Sequence, residues 1–169
     1  RLGIIVFQDM VNNGDYSFLR DTALPTVGLK KLSDRYLHRD TATRQAFMRA
    51  MEETVAQLRN HPSVCCWTIF NEGWGQFDAK KATEMVRHWD QTRLINEACG
   101  WFDQGGGDMY SIHNYLRKLK VSPKQDRVVA LTEYGGYAFP IEGHLACEKK
   151  FGYQKYGTTE ELTKNYKRL

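Results

Sequence analysis

Apolar and polar positions follow two rhythms along this chain. Short apolar runs occur at LGIIVFQ (2–8), VCCWTIF (64–70), RLINEA (93–98), MYSIHNY (109–115) and RVVALTEY (127–134), and each reads as a strand. The run from Val64 to Phe70 is nearly unbroken, as expected for a strand buried on both faces. Between the runs the period lengthens to that of a helix. A long helix is predicted from Asp40, its N-cap, to Asn60, with Phe47, Met51, Val55 and Leu58 on one face and Pro62 closing it. Asp78 is predicted to cap a second helix whose inner face carries Ala79, Ala82, Val86 and Trp89. Thr158 and Glu161 form a capping box for a last helix, with Leu162, Tyr166 and Leu169 as its core stripe.

Strands alternating with helical or loop crossovers predict an α/β fold with a parallel sheet. In such sheets the functional groups gather at the C-terminal strand ends. Those ends carry Asp9, Asn71-Glu72, Asn96-Glu97, His113-Asn114-Tyr115 and Glu133-Tyr134. All are polar, although a carboxylate beside a buried strand is costly to desolvate. The rim of the sheet therefore behaves as a single site.

Composition narrows the class. The chain has 169 residues, which suits one domain rather than two. It opens inside an apolar run without an initiator Met, which predicts a piece of a larger multidomain chain. No apolar run reaches the roughly 18 residues of a membrane helix, and no basic leader precedes a short apolar core. The net charge of +4 is spread along the chain without a basic stripe interleaved with aromatics, so neither nucleic acid nor membrane is an expected partner. Cys65 and Cys66 point to opposite strand faces, and no Cys/His spacing in the sequence suits a metal. With Cys99 and Cys147 they read as reduced thiols, pointing to the cytoplasm while leaving secretion open. The expected metals and cofactors are none.

Glu72 and Glu133, at the top of one parallel sheet, can face each other across a cleft. Paired carboxylates are what glycosidic bond cleavage requires, one as proton donor and one as nucleophile. The segments HPSVCCWTIFNEGWGQFD, DMYSIHNY and ALTEYGGYAF, in that order, resemble glycoside hydrolase family two, which contains β-galactosidases, β-glucuronidases and β-mannosidases. The opening VFQDMVNNGDY is similar to the family's third barrel strand and the loop after it.

The resemblance implies part of a TIM (β/α)8 barrel, strands three to seven, with residues 1–169 as a single partial catalytic domain. It implies a retaining β-glycosidase acting on terminal β-linked sugars, β-galactosidase-like, with carbohydrate as its partner. Glu72 would be the acid/base, Asn71 the contact to the sugar 2-hydroxyl, Glu133 the nucleophile, and Tyr115 the donor to that nucleophile. A full barrel takes about 250 residues, so strands one, two and eight have no counterpart here. The open edges that result predict either a covering segment or association into a homo-oligomer.

Other rim residues extend the expected site. His113, beside Tyr115, and Asp9 are expected to touch the sugar. Trp74 and Trp101, in Gly-flanked loops, are expected to stack on it. Asn96-Glu97 repeats the Asn-Glu pair but lacks a long apolar strand before it, and is expected to line the site or pair with a charge. GGGD at 105–108 reads as a flexible connection, because it neither follows a strand nor opens a helix as a phosphate loop does. The alternative to an enzyme is a catalytically silent carbohydrate-binding or scaffold domain of the same α/β fold.

Overall fold

The computed structural model describes residues 2–12, 14–27, 32–115, 118–145 and 151–168. Five strands run in parallel: β1 (Val6–Asp9), β2 (Val64–Asn71), β3 (Leu94–Cys99), β4 (Met109–Asn114) and β5 (Val128–Tyr134). β1, β2 and β3 form one sheet in that order, and β4 pairs with β5 in another. A short parallel pair, β6 (Tyr137–Ala138) and β7 (Gln154–Lys155), follows. The helices are α1 (Leu24–Val27), α2 (Thr41–Leu58), α3 (Ala79–Trp89) and α4 (Thr159–Tyr166), with a π-helical turn at Phe18–Ala23 and a 3-10 turn at Asp34–Tyr36. The result is an open arc of parallel strands, part of a barrel that does not close. No described helix is long and apolar enough to cross a membrane.

β2 is the centre of the core because both of its faces are covered. Trp67, Ile69 and Phe70 are all buried, and the Trp67 indole N–H donates to Asp90 at 3.1 Å. α2 lays Phe47, Met51 and Val55 against the sheet, with Leu58 partly buried beside them. The Phe47 ring stacks on Phe70 at 5.0 Å and meets the edge of Phe77 at 5.6 Å. Each such side chain contributes roughly 1.5–3 kcal/mol when fully buried. Asp40 caps α2 as its sequence predicts, accepting from the Thr43 N–H at 2.7 Å.

β3 and β4 are joined through Asp108. Its N–H donates to Ile95 O at 2.8 Å, and its carboxylate accepts from Ile95 N–H at 2.7 Å while pairing with Arg87. Gly107, at φ +68°, packs so closely that a Cβ would lie 2.6 Å from Ile95 O. Gly106, where a Cβ would lie 2.6 Å from Glu97 Oε1, and Gly107 are therefore close-packed rather than a loose connection, while Gly105 stands in open space.

Several expectations need correction. The first strand begins at Val6 and not at Leu2, and Leu2, Ile4 and Ile5 are exposed. Among the described residues only β2 pairs with β1, so these apolar side chains have nothing to pack against. α4 holds no core stripe, since Tyr166 is exposed and none of its described residues is buried. Its cap does form, with Glu161 N–H donating to Thr158 Oγ1 at 3.2 Å, but the Glu161 carboxylate reaches back to Gly157 and not to Thr158. Leu169 and Cys147 lie outside the described residues.

Asp78 precedes α3, but its side chain makes no capping bond and its φ is +42°. The cap comes from Asp34. That buried carboxylate accepts from Ala79 N–H at 3.1 Å and from Gln76 Nε2 at 2.9 Å, tying the 3-10 turn to the helix. Replacing Asp34 removes both bonds and leaves one hydrogen of the buried Gln76 amide without its partner, the other still serving Phe102 O at 2.9 Å. Asp34→Ala should therefore destabilise the protein by about 2 kcal/mol. Asp78→Asn, which tolerates the left-handed backbone, should change stability by less than about 0.5 kcal/mol. Urea unfolding of the two variants checks the assignment, and equal losses would contradict it.

Candidate active site

The parallel register carries the C-terminal strand ends to one rim, where Glu72 departs from the regular strand. Its N–H still donates to Cys99 O at 2.9 Å, but its φ is +52°. A non-glycine residue in the left-handed region costs about 1–3 kcal/mol and marks a functional site often enough to be examined as one. Gly73 follows at φ +74°, where a Cβ would fall 2.2 Å from Asp21 O. The turn brings the Glu72 carboxylate to β4, where Oε1 meets His113 Nδ1 at 2.7 Å.

The His113 side chain is fully enclosed. Its second nitrogen, Nε2, lies 3.1 Å from Cys99 Sγ. Burial opposes a charge on the ring, but the bonds to Cys99 and Glu72 and the nearby Glu133 outweigh it and raise the pKa to about 9. The side chain has no exposed surface, and the groups between it and the cavity are Glu72 and Tyr115, so the structure does not place His113 in direct reach of a ligand.

Tyr115 bridges the two acids. Its hydroxyl lies 2.5 Å from Glu133 Oε2 and 2.8 Å from Glu72 Oε1. Burial, then the bonds to Glu133 and Glu72, push the phenol pKa far up, so the hydroxyl keeps its hydrogen. The Glu72 side chain is 17% exposed and that of Glu133 is 47% exposed. Glu72, His113 and Glu133 each bring a ligand-type atom within 4.8 Å of the others. That spacing is short enough for a divalent ion, but the inward lone pairs face a proton-bearing imidazole and a phenol. We read the group as sharing protons, not as a metal site.

A cavity of about 510 Å3 opens over this group. Glu72, Glu133, Tyr115 and Thr132 line it, with Tyr134, Gly136 and Tyr153 at its side. Tyr153 stacks on Tyr115 with ring centres 4.4 Å apart. Asn71 is half-buried, and its Oδ1 is enclosed with no partner among the described residues, leaving an acceptor beside Glu72. Trp74 is half-exposed and stacks on Tyr16 at 4.5 Å, so one indole face is already taken. Trp101 stands edge-on to His113 at 5.8 Å and borders a neighbouring cleft rather than this cavity. The Asp9 carboxyl, on the rim of β1, is pushed above its usual range by desolvation, with Glu133 adding to the rise.

Glu97 is a separate case. It is fully buried, and its Oε2 accepts from Gly106 N–H at 2.7 Å and Gln104 N–H at 3.3 Å. It anchors the 104–106 loop. Cys99, Thr132 and Tyr153 were missed in the sequence. Cys99 stands one residue past the predicted end of its strand, so the strand-end rule could have found it. Tyr153 lies far from any strand end and gave no signal.

One family model, described as Glycosyl hydrolases family 2, TIM barrel domain, matches residues 5–122. The matched span holds β1 to β4 and, with them, Asp9, Asn71, Glu72, Trp74, Trp101, His113 and Tyr115. Glu133 lies beyond it.

Glu97 provides a pH test of this placement. Burial raises its pKa above the ordinary carboxyl value. The folded state then binds the proton more tightly than the unfolded chain. The stability this contributes is complete below the unfolded pKa and lost as pH rises through the folded one. Glu97→Gln should flatten that decline. Unfolding free energies measured from pH 4 to 8 should show a shallower slope in the variant, and parallel slopes would contradict the upward shift that burial imposes.

Proposed function

The chain belongs to glycosyl hydrolase family 2, and from that premise we propose that it supplies most of the catalytic residues of a retaining β-glycosidase. The observation that supports this best is the convergence of Glu72 and Glu133 on one phenol. Their nearest oxygens lie within 4.8 Å. Retaining enzymes separate their carboxyl groups by about 5–5.5 Å, whereas inverting enzymes need about 6.5–9.5 Å to admit a water. The spacing favours direct attack.

In this reading Glu133 attacks the anomeric carbon as the sugar–oxygen bond breaks, and Glu72 delivers its proton to the departing oxygen. A glycosyl ester on Glu133 results. Glu72, now ionised, takes a proton from the incoming water, which cleaves the ester and restores both groups. Tyr115 suits these roles, because its single hydrogen lies within reach of both carboxylates and can serve whichever is ionised. Asn71, beside Glu72, is proposed as the contact to the sugar 2-hydroxyl, from which its enclosed Oδ1 accepts once the amide turns toward the cavity. Asp9 and the free face of Trp74 lie outside the cluster and are proposed as sugar contacts. Trp101 acts more remotely, through His113.

The substrate we propose is a terminal β-linked sugar, with galactose the first to try. The open arc of five strands supports a chain that is one part of a larger multidomain polypeptide, whose remaining strands, or a second copy, cover the open edges. Free Cys65, Cys66 and Cys99 fit a reducing compartment, and we propose the cytoplasm. A silent carbohydrate-binding domain would retain the pocket without the chemistry.

The roles are tested in the intact polypeptide with Glu72→Ala. Aryl glycosides with poor leaving groups should lose about 10³-fold or more in kcat/KM, and a dinitrophenyl glycoside far less, since its departure needs little protonation. Azide should restore turnover of the activated substrate as a glycosyl azide. Equal losses for all leaving groups, with no azide product, would contradict the assignment. A wild-type protein inactive on the whole panel would favour the silent domain.

A further inference from the structure

The hydrogen bonds behind Glu72 do not stop at His113. Cys99 Sγ, at the end of β3, lies 3.1 Å from His113 Nε2 and 3.2 Å from Thr132 Oγ1, and Thr132 Oγ1 lies 3.5 Å from Ile112 O. Counting donors orders this chain. A carbonyl only accepts, so the Thr132 hydrogen turns to Ile112 and the thiol hydrogen to the Thr132 oxygen. The sulfur is left as an acceptor, facing Nε2–H. On the other side, Nδ1 faces a Glu72 oxygen at 2.7 Å. Facing the ionised form of Glu72, the ring donates from both nitrogens and is an imidazolium.

The surroundings hold the ring in that pose. Gly100, at φ +91°, backs it so closely that a Cβ would sit 2.5 Å from Nδ1. Trp101 closes another side, edge-on at 5.8 Å. The titratable groups facing His113 are Asp9 from β1, Glu72 after β2, Cys99 from β3, Tyr115 after β4 and Glu133 from β5. Glu133 Oε1 is 3.7 Å from Nε2, beyond a hydrogen bond, so the sulfur is the acceptor within bonding distance at that nitrogen.

We propose that Cys99 is a positioning residue for the acid/base: by accepting from Nε2 it keeps His113 in the doubly donating form that holds Glu72. The catalytic consequence rests on reading Glu72 as acid/base, whereas the hold on His113 does not. Without the sulfur, the acceptor left near Nε2–H is Glu133 Oε1, at 3.7 Å and beyond hydrogen-bond distance. The ring then loses a proton more readily, and Glu72 faces a neighbour whose charge is less firmly held. Serine can replace the thiol, since its hydroxyl both accepts and donates.

The test is an NMR titration of His113 in the intact protein, assigned with His113→Asn, compared for wild type, Cys99→Val and Cys99→Ser. Cys99→Val should titrate at least about one pH unit below wild type, and Cys99→Ser should return toward it. In parallel, kcat/KM for poor leaving groups should fall about tenfold in Cys99→Val, with its pH profile displaced the same way, and recover in Cys99→Ser. A folded Cys99→Val whose His113 titrates with the wild type overturns the proposal. If Cys99→Val does not fold, Cys99→Ala stands in for it. A difference between the Ala and Ser variants supports the proposal, and identical titrations overturn it. The titration needs no substrate, so an inactive wild type would sink the glycosidase reading while leaving this result readable.

Discussion

One phenol stands between two carboxylates, and much of the fold serves to keep it there. Tyr115 meets both Glu72 and Glu133 within hydrogen-bond distance. Two acids this close cannot comfortably both be charged, so one proton is shared between them, with the phenol and His113 hydrogen-bonded to the pair. Parallel pairing is what makes the meeting possible. β2 delivers Glu72, β4 leads to Tyr115 and β5 delivers Glu133, and all three arrive at one rim because their strands run the same way. The left-handed backbone at Glu72 completes the geometry by bringing that carboxylate to β4. That strain persists because the turn is held by the Glu72 N–H bond to β3 and by Gly73 packed against Asp21.

The two Asn-Glu pairs show how register, more than composition, decides chemistry. Asn71 pairs with Cys99 at the end of the ladder, so Glu72 falls beyond it and meets the cavity. Asn96 pairs with Thr68, well inside the sheet, and Glu97 is consequently enclosed and occupied by the loop at 104–106. Identical dipeptides thus become a rim acid and a buried loop anchor.

Much of this was legible from residue pattern alone. β2 declared itself by an apolar run too long and continuous for one buried face, and α2 by Phe47, Met51 and Val55 at helical spacing with Asp40 before them. The strand-end rule then gathered Asn71, Glu72, His113, Tyr115 and Glu133 at one rim. What escaped were contacts between residues distant in sequence. Nothing near Ala79 indicates that Asp34 would cap its helix, because the bond spans 45 residues. His113 looked like a ligand contact because a strand end is usually open, and only tertiary packing encloses it between Glu72 and Cys99. The apolar start of the chain suggested a buried strand, but burial needs a neighbour, and no described element provides one.

The central claim is that Glu133 attacks while Glu72 holds the proton. It is tested most directly by trapping the covalent intermediate. A 2-deoxy-2-fluoro β-glycoside with a good leaving group slows breakdown of the glycosyl-enzyme, so an ester should accumulate on the intact protein with loss of activity. Peptide mapping by mass spectrometry should find the added mass on the segment VVALTEYGGY, at Glu133. An active enzyme that never labels, or a label on Asp9 or Glu97, would contradict the account.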